Sequence, residues 1–129
     1  MEFDFSTAQR IIFGWGALDK IPSIILRFGT RAFLIYSKSV PAVTKIENIF
    51  NEQKIKWHAF AASEEPTDEV INQVTAEARV YDCDFVVAIG GGSVIDTGKA
   101  VSALLTNEGD LLDYLEVVAK GMPIENLPK

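Results

Sequence analysis

Several things are scarce in this chain, and each scarcity excludes something. There is one cysteine, Cys83, so no intrachain disulfide can form. There is one histidine, His58, and one histidine with one cysteine cannot build a Cys/His zinc site within the chain. Positive charge is in deficit: twelve Lys and Arg against eighteen Asp and Glu give a formal charge of −6. A surface of that sign has no general attraction for nucleic acid or an anionic membrane, though a local basic spot can still hold one small anion. No basic leader with an apolar stretch behind it is recognisable, and no apolar run approaches about eighteen residues. The expectation is a cytoplasmic domain with neither nucleic-acid nor membrane partners. What is present is ordinary globular material, 48% hydrophobic and 23% charged over 129 residues. One domain spanning 1–129 is expected, able to bury roughly two-thirds of its unfolded surface.

The order of patterns along the chain suggests how that core is built. Residues 2–13 (EFDFSTAQRIIF) hold two short apolar runs around a polar break, which reads as an N-terminal β-hairpin. A helix is expected over 17–27, with Leu18, Ile21, Ile25 and Phe28 inward, and with Pro22 either distorting its first turn or marking its start. RAFLI at 31–35 is a continuous apolar run, as suits a strand covered on both faces of a parallel sheet. Helical spacing returns over 41–53, a strand over 55–61, and a helix led by Thr67 as its cap. DFVVAI at 84–89 is the third strand, 93–105 a helix, 110–115 a shorter one, and the stretch from Gly121 a loop. No internal repeat interrupts the alternation. The fold class expected is α/β: a Rossmann-like open parallel sheet flanked by helices, with the N-terminal hairpin attached.

Ligands of such sheets bind beyond the carboxyl ends of the strands. There the chain reads IGGGSVIDTGKA, residues 89–100. Three glycines let the backbone take positive φ and let a bulky group approach it. Helix N-terminal amides and the helix dipole favour an anion at the same place. Ser93 is expected as the N-cap, with Asp96 closing a capping box. Asp96 and Lys99 share a helix face, and Lys99 lies about 9 Å along the axis from Ser93. The whole reads as a cradle for a phosphate or diphosphate. The plainer reading, that the glycines only turn the chain, asks the fold to spend glycine's backbone entropy on a mere bend. Two familiar motifs fail. A P-loop would need glycine at Ser93 and a hydroxyl at Ala100, and GxGxxG meets Ile95 at its third glycine.

IGGGSVIDTGKA resembles the nucleotide-binding signature of the iron-containing (group III) alcohol dehydrogenase family. RIIFGWGAL (residues 10–18), RAFLIYSKS (31–39) and EEPTDEV (64–70) resemble that family's segments too, so the likeness runs over nearly the whole chain. It implies an NAD(P)-binding α/β domain followed by an all-helical domain that holds iron or zinc. It also implies that hydride passes between the nicotinamide and an alcohol or aldehyde in the cleft between the two domains. This chain resembles only the first domain; the helical metal-binding domain and its Asp and His ligands are absent, so no catalytic or metal residue is expected here. The expectation is a fragment, or a chain whose catalytic half is a separate polypeptide, and inactive when alone.

Carried over by position, the resemblance implies that Gly91, Gly92 and Ser93, with Val94 beside them, hold the pyrophosphate. Asp96 and Lys99 lie by the nicotinamide-side ribose and ring. Ser37 stands where NAD-preferring members often carry Asp, a carboxylate that would repel a 2′-phosphate. Ser37 with Lys38 therefore implies that NADP is tolerated or preferred over NAD, unless the two are simply turn residues. Glu65 departs from the Asn often found in its loop. The resemblance extends to glycerol dehydrogenase and dehydroquinate synthase relatives. A nucleotide-binding or assembly module without chemistry is the rival from another class, and an ATP-binding kinase-like domain is the third. His58 reads as a sheet or surface residue, Cys83 as a buried thiol, and Trp15 as packed on the hairpin or over the cleft mouth. An unpaired sheet edge or the N-terminal ribbon is expected to drive homodimerisation or higher self-association.

Overall fold

The computed structural model describes residues 10–62, 66–115 and 121–128. Three strands, β1 (Arg31–Tyr36), β2 (Lys56–Ala61) and β3 (Phe85–Ile89), form one parallel sheet in the order β2-β1-β3. The helices are α1 (Ile21–Ile25), α2 (Val43–Glu52), α3 (Asp68–Tyr81), α4 (Gly92–Leu104) and α5 (Leu111–Tyr114). Parallel pairing runs from Arg31↔Lys56 to Tyr36↔Ala61 on one side of β1, and from Ala32↔Phe85 to Tyr36↔Ile89 on the other.

The apolar run of β1 is explained by its central place. Side chains alternate across a strand, and both faces are covered. Ala32 and Leu34 enter a cluster with Ile25 of α1 and Val43, Ile46, Ile49 and Phe50 of α2. Phe33 and Ile35 enter a second cluster with Ile71, Val74 and Ala78 of α3 and Val94, Val101 and Leu104 of α4. All four strand residues are wholly buried. This is the doubly wound, Rossmann-like arrangement. From β1 the chain steps out to β2, then returns past β1 to reach β3. The winding therefore reverses between β1 and β3, the place where open α/β sheets bind ligands.

Local chemistry sets most boundaries. The Thr67 hydroxyl accepts from the Val70 amide at 3.3 Å and caps α3. Asp110 and Asp113 form a capping box that starts α5. The helix expected over 17–27 is instead a 3-10 turn, Ala17–Lys20, followed by the five-residue α1 with Pro22 in its first turn. Proline has no amide to donate and fits only there, so the helix restarts at that point. Phe28, expected inward, is 58% exposed, although its ring lies 6.1 Å from that of Phe85. Residues 10–13 are irregular, and the first arm of the expected hairpin lies outside the described residues, as do Glu64 and Glu65.

Candidate functional site

The loops leaving β1 and β3 meet at the carboxyl rim of the sheet. The Ser37 amide donates to the Ile89 carbonyl at 3.1 Å, which ties the Ser37–Lys38 turn directly to the glycine loop. The Ser37 and Ser39 hydroxyls share a hydrogen bond of 2.8 Å, and the Lys38 side chain is exposed. Two segments more than fifty residues apart in sequence thus border one site.

The glycines there serve different needs. A Cβ on Gly90 would lie 2.7 Å from Val94 Cγ2, so a bare Cα is required for the first turn of α4 to fold back on the loop. A Cβ on Gly91 or Gly92 would meet nothing within 4 Å. The ground above these two is open. The expected positive φ is not found: the left-handed glycines are 14, 16, 29, 109 and 121. Gly91 is extended, at φ −75 and ψ −173. What the loop gains from these glycines is room.

The expected capping box at Ser93 and Asp96 does not form. Gly91 is the N-cap, and the first helical bond runs from the Ile95 amide to the Gly91 carbonyl at 3.1 Å. Ser93 is already inside the helix, where its carbonyl accepts from Thr97 Oγ1 at 2.8 Å. A capping side chain must come from an extended residue at the boundary, and that residue is glycine. Asp96 turns instead to Lys99, Nζ to Oδ1 at 3.2 Å. The result is a helix start with no side-chain cap and no acidic residue in its first turn. The amides of Gly92, Ser93 and Val94 precede the first helical bond, and the positive end of the helix dipole is open to the rim. Open ground bordered by such amides suits a diphosphate.

The expected site residues sort accordingly. Ser37, Lys38, Gly91, Gly92 and Ser93 gather at the rim. Val94 offers only its amide, because its side chain is 4% exposed and packs inward. Asp96 and Lys99 stand exposed on the outward face of α4, one and two turns on.

Gly98 escaped the sequence reading. A Cβ there would lie 2.5 Å from Ala88 Cβ, so glycine lets α4 lie directly on β3 and fixes where its N-terminus points. The available signal was a mid-helix glycine, which costs about 1 kcal/mol relative to alanine and so calls for a packing reason. His58 sits on β2 with its ring 5.6 Å from both Phe33 and Tyr81, a sheet residue as expected. Cys83 is buried. Trp15 is fully exposed, and the hairpin arm expected to pack on it lies outside the described residues. Among the described residues no group of three or more His, Cys, Asp or Glu is placed to hold a metal ion. Among them, too, no helix is long and apolar enough to cross a membrane.

Comparison with known proteins shows the family and the fold. The family model for iron-containing alcohol dehydrogenase matches residues 8–128. The chain is 30% identical to the sulfoacetaldehyde reductase of Bilophila wadsworthia, covering 91% of this chain and 32% of that one. It is 27% identical to NADH-dependent butanol dehydrogenase A of Clostridium acetobutylicum, over 98% and 35%. Among solved structures it superposes on a 1,3-propanediol oxidoreductase with TM-score 0.79 and 29% identity, covering 88% of this chain and 31% of that chain. The iron-containing alcohol dehydrogenase of Thermococcus thioreducens gives 0.78 and 28%, over 92% and 33%. The chain thus spans about a third of the length of the relatives it matches.

Proposed function

The chain belongs to the iron-containing alcohol dehydrogenase family, and on that premise we propose that residues 1–129 are one domain, the NAD(P)-binding part of an oxidoreductase acting on an alcohol or aldehyde. The observation that carries this reading is the open ground above Gly91 and Gly92, bordered by uncapped α4 amides where the sheet reverses. The amides of Gly92, Ser93 and Val94 would hold the diphosphate. Ser37 and Lys38 would face the adenosine ribose, and Asp96 and Lys99 the nicotinamide-side ribose and ring. When bound, the dinucleotide gives or accepts the hydride; this chain's own residues bind and orient it. The resemblance puts the metal-holding residues in a further, helical domain, and on that reading the 129-residue chain alone binds cofactor without turning over alcohol.

The turn after β1 reads Ser37-Lys38-Ser39 and carries no carboxylate. Nothing in it repels a 2′-phosphate, and Lys38 adds a cation, so NADPH is accepted at least as well as NADH. The butanol dehydrogenase relative is NADH-dependent by name, so the cofactors must be titrated side by side, by nicotinamide fluorescence with ATP as competitor. Binding of both, with NADPH no weaker, supports the reading. NADH binding about tenfold tighter, or about 1.4 kcal/mol, overturns the specificity. Binding of ATP with neither nicotinamide cofactor overturns the domain assignment.

A further inference from the structure

α4 runs from Gly92 to Leu104, about 18 Å at 1.5 Å per residue. Gly98 lies midway, and there the helix backbone comes down on Ala88 of β3. About 9 Å of helix extends to either side of that contact. Over so short a length a helix without proline is close to straight. A shift at its carboxyl end is therefore carried to its amino end in the opposite sense.

The two ends are held differently. The amino end, with the amides of Gly92, Ser93 and Val94, has no side-chain cap. At the carboxyl end Leu105 is right-handed, at φ −63 and ψ −28, so no left-handed residue closes the helix. Side chains take its last carbonyls instead. Arg79 Nη2, from the last turn of α3, donates to the Leu104 carbonyl at 2.7 Å and to the Asn107 carbonyl at 3.1 Å. Asn107 Nδ2 donates to the Ala103 carbonyl at 2.8 Å. Among the described residues Arg79 makes no ion pair; its guanidinium is directed at the two carbonyls. Through space its charge does little for an anion at the other end of α4. The helix is about 18 Å long, and the Debye length at physiological ionic strength is about 8 Å. What Arg79 can do there passes through the direction of α4.

We propose that Arg79 is a positioning residue for the dinucleotide. It anchors the carboxyl end of α4 to α3 and, across the Gly98–Ala88 contact, sets where the amides of Gly92, Ser93 and Val94 point. The proposal rests on the cofactor reading above, because it needs the diphosphate at those amides. Misdirected donors weaken charge-assisted hydrogen bonds without removing them. Loss of the anchor then weakens NADH binding about three- to tenfold, less than loss of a whole bond.

The test measures NADH affinity by nicotinamide fluorescence and backbone amide resonances by NMR. The samples are the 129-residue chain and its variants Arg79→Lys, Arg79→Met and Ile46→Val. Lysine keeps the charge on a shorter, unforked side chain, and methionine keeps an unbranched stem without donors. Ile46 is buried in the cluster on the other face of the sheet, so Ile46→Val lowers stability away from α4 and should leave NADH affinity unchanged. Both Arg79 variants should bind NADH about three- to tenfold more weakly. Without any ligand, they should also move the amide resonances of Gly92, Ser93 and Val94. Arg79→Lys serves alone if the methionine variant does not fold. Unmoved resonances at those amides, native affinity in both variants, native affinity in Arg79→Lys alone, or an equal loss in Ile46→Val overturns the proposal while the cofactor reading stands. A native chain that binds no NADH overturns the cofactor reading and the proposal with it.

Discussion

Gly92→Ala separates a folding role from a binding role at one atom. Gly92 opens α4, and a methyl there would meet nothing within 4 Å. Folding therefore loses no packing from the substitution, and the unfolded chain loses some freedom. The variant should be more stable by about 0.5–1 kcal/mol. For a chain of this size that is roughly 2–5 °C in Tm. If a diphosphate rests against the α4 amides, the same methyl occupies its ground. Displacing one charge-assisted hydrogen bond costs about 1.5–3 kcal/mol, a loss of about 10- to 150-fold in affinity. Thermal unfolding without ligand and an NADH fluorescence titration on the same preparation read both effects. A raised Tm with unchanged NADH affinity would refute the cradle. A lowered Tm would refute the openness of the ground.

Other expectations follow from the same coordinates. Gly98→Val drives a branched side chain into Ala88 and should destabilise by about 2–3 kcal/mol, seen as a lower urea midpoint; an unchanged midpoint would mean α4 does not lie against β3. The Glu69 carboxyl is held below its ordinary range, chiefly by a hydrogen bond from its own backbone and further by Asp68 and Thr67. A depressed carboxyl pKa stabilises the fold above the unfolded value and loses that contribution as pH falls through the folded one. The stability gap between the native chain and Glu69→Gln should therefore shrink on acidification below about pH 4.5, measured by urea unfolding, and a widening gap would contradict it. The outer edges of β2 and β3 have no strand partner among the described residues, and Ile11, Phe13 and Trp15 are exposed. Sedimentation should show dimers or larger species at high concentration; monomer alone would contradict this.

The alternation of strand and helix was legible because β1 declares its double burial in five successive apolar or long-stemmed residues, and because Thr67 is a cap with a helix behind it. The central place of β1 was not, since pairing order depends on crossovers that leave no mark on a strand's own composition. At the site, the glycines and the Asp96–Lys99 pair could be read directly. The cap could not: serine's preference for helix starts points to Ser93, but the cap falls two residues earlier, on Gly91, where room above the backbone outweighs a capping hydroxyl. The role of Gly98 was not legible, because it depends on Ala88 of the neighbouring strand lying beneath it. The segment carrying Ile124 folds back beside the end of α4, where Asn107 Oδ1 accepts from the Glu125 and Asn126 amides, a contact that no local pattern announces.

The most direct measurement is an amide-resolved NMR titration of the 129-residue chain with NADH and NADPH. The account predicts that the largest shifts fall on the amides of Gly92, Ser93 and Val94, with Ser37 and Lys38 next and β2 unmoved. Saturable binding with the largest shifts elsewhere, or no shifts at the glycine loop at any cofactor concentration, would contradict it.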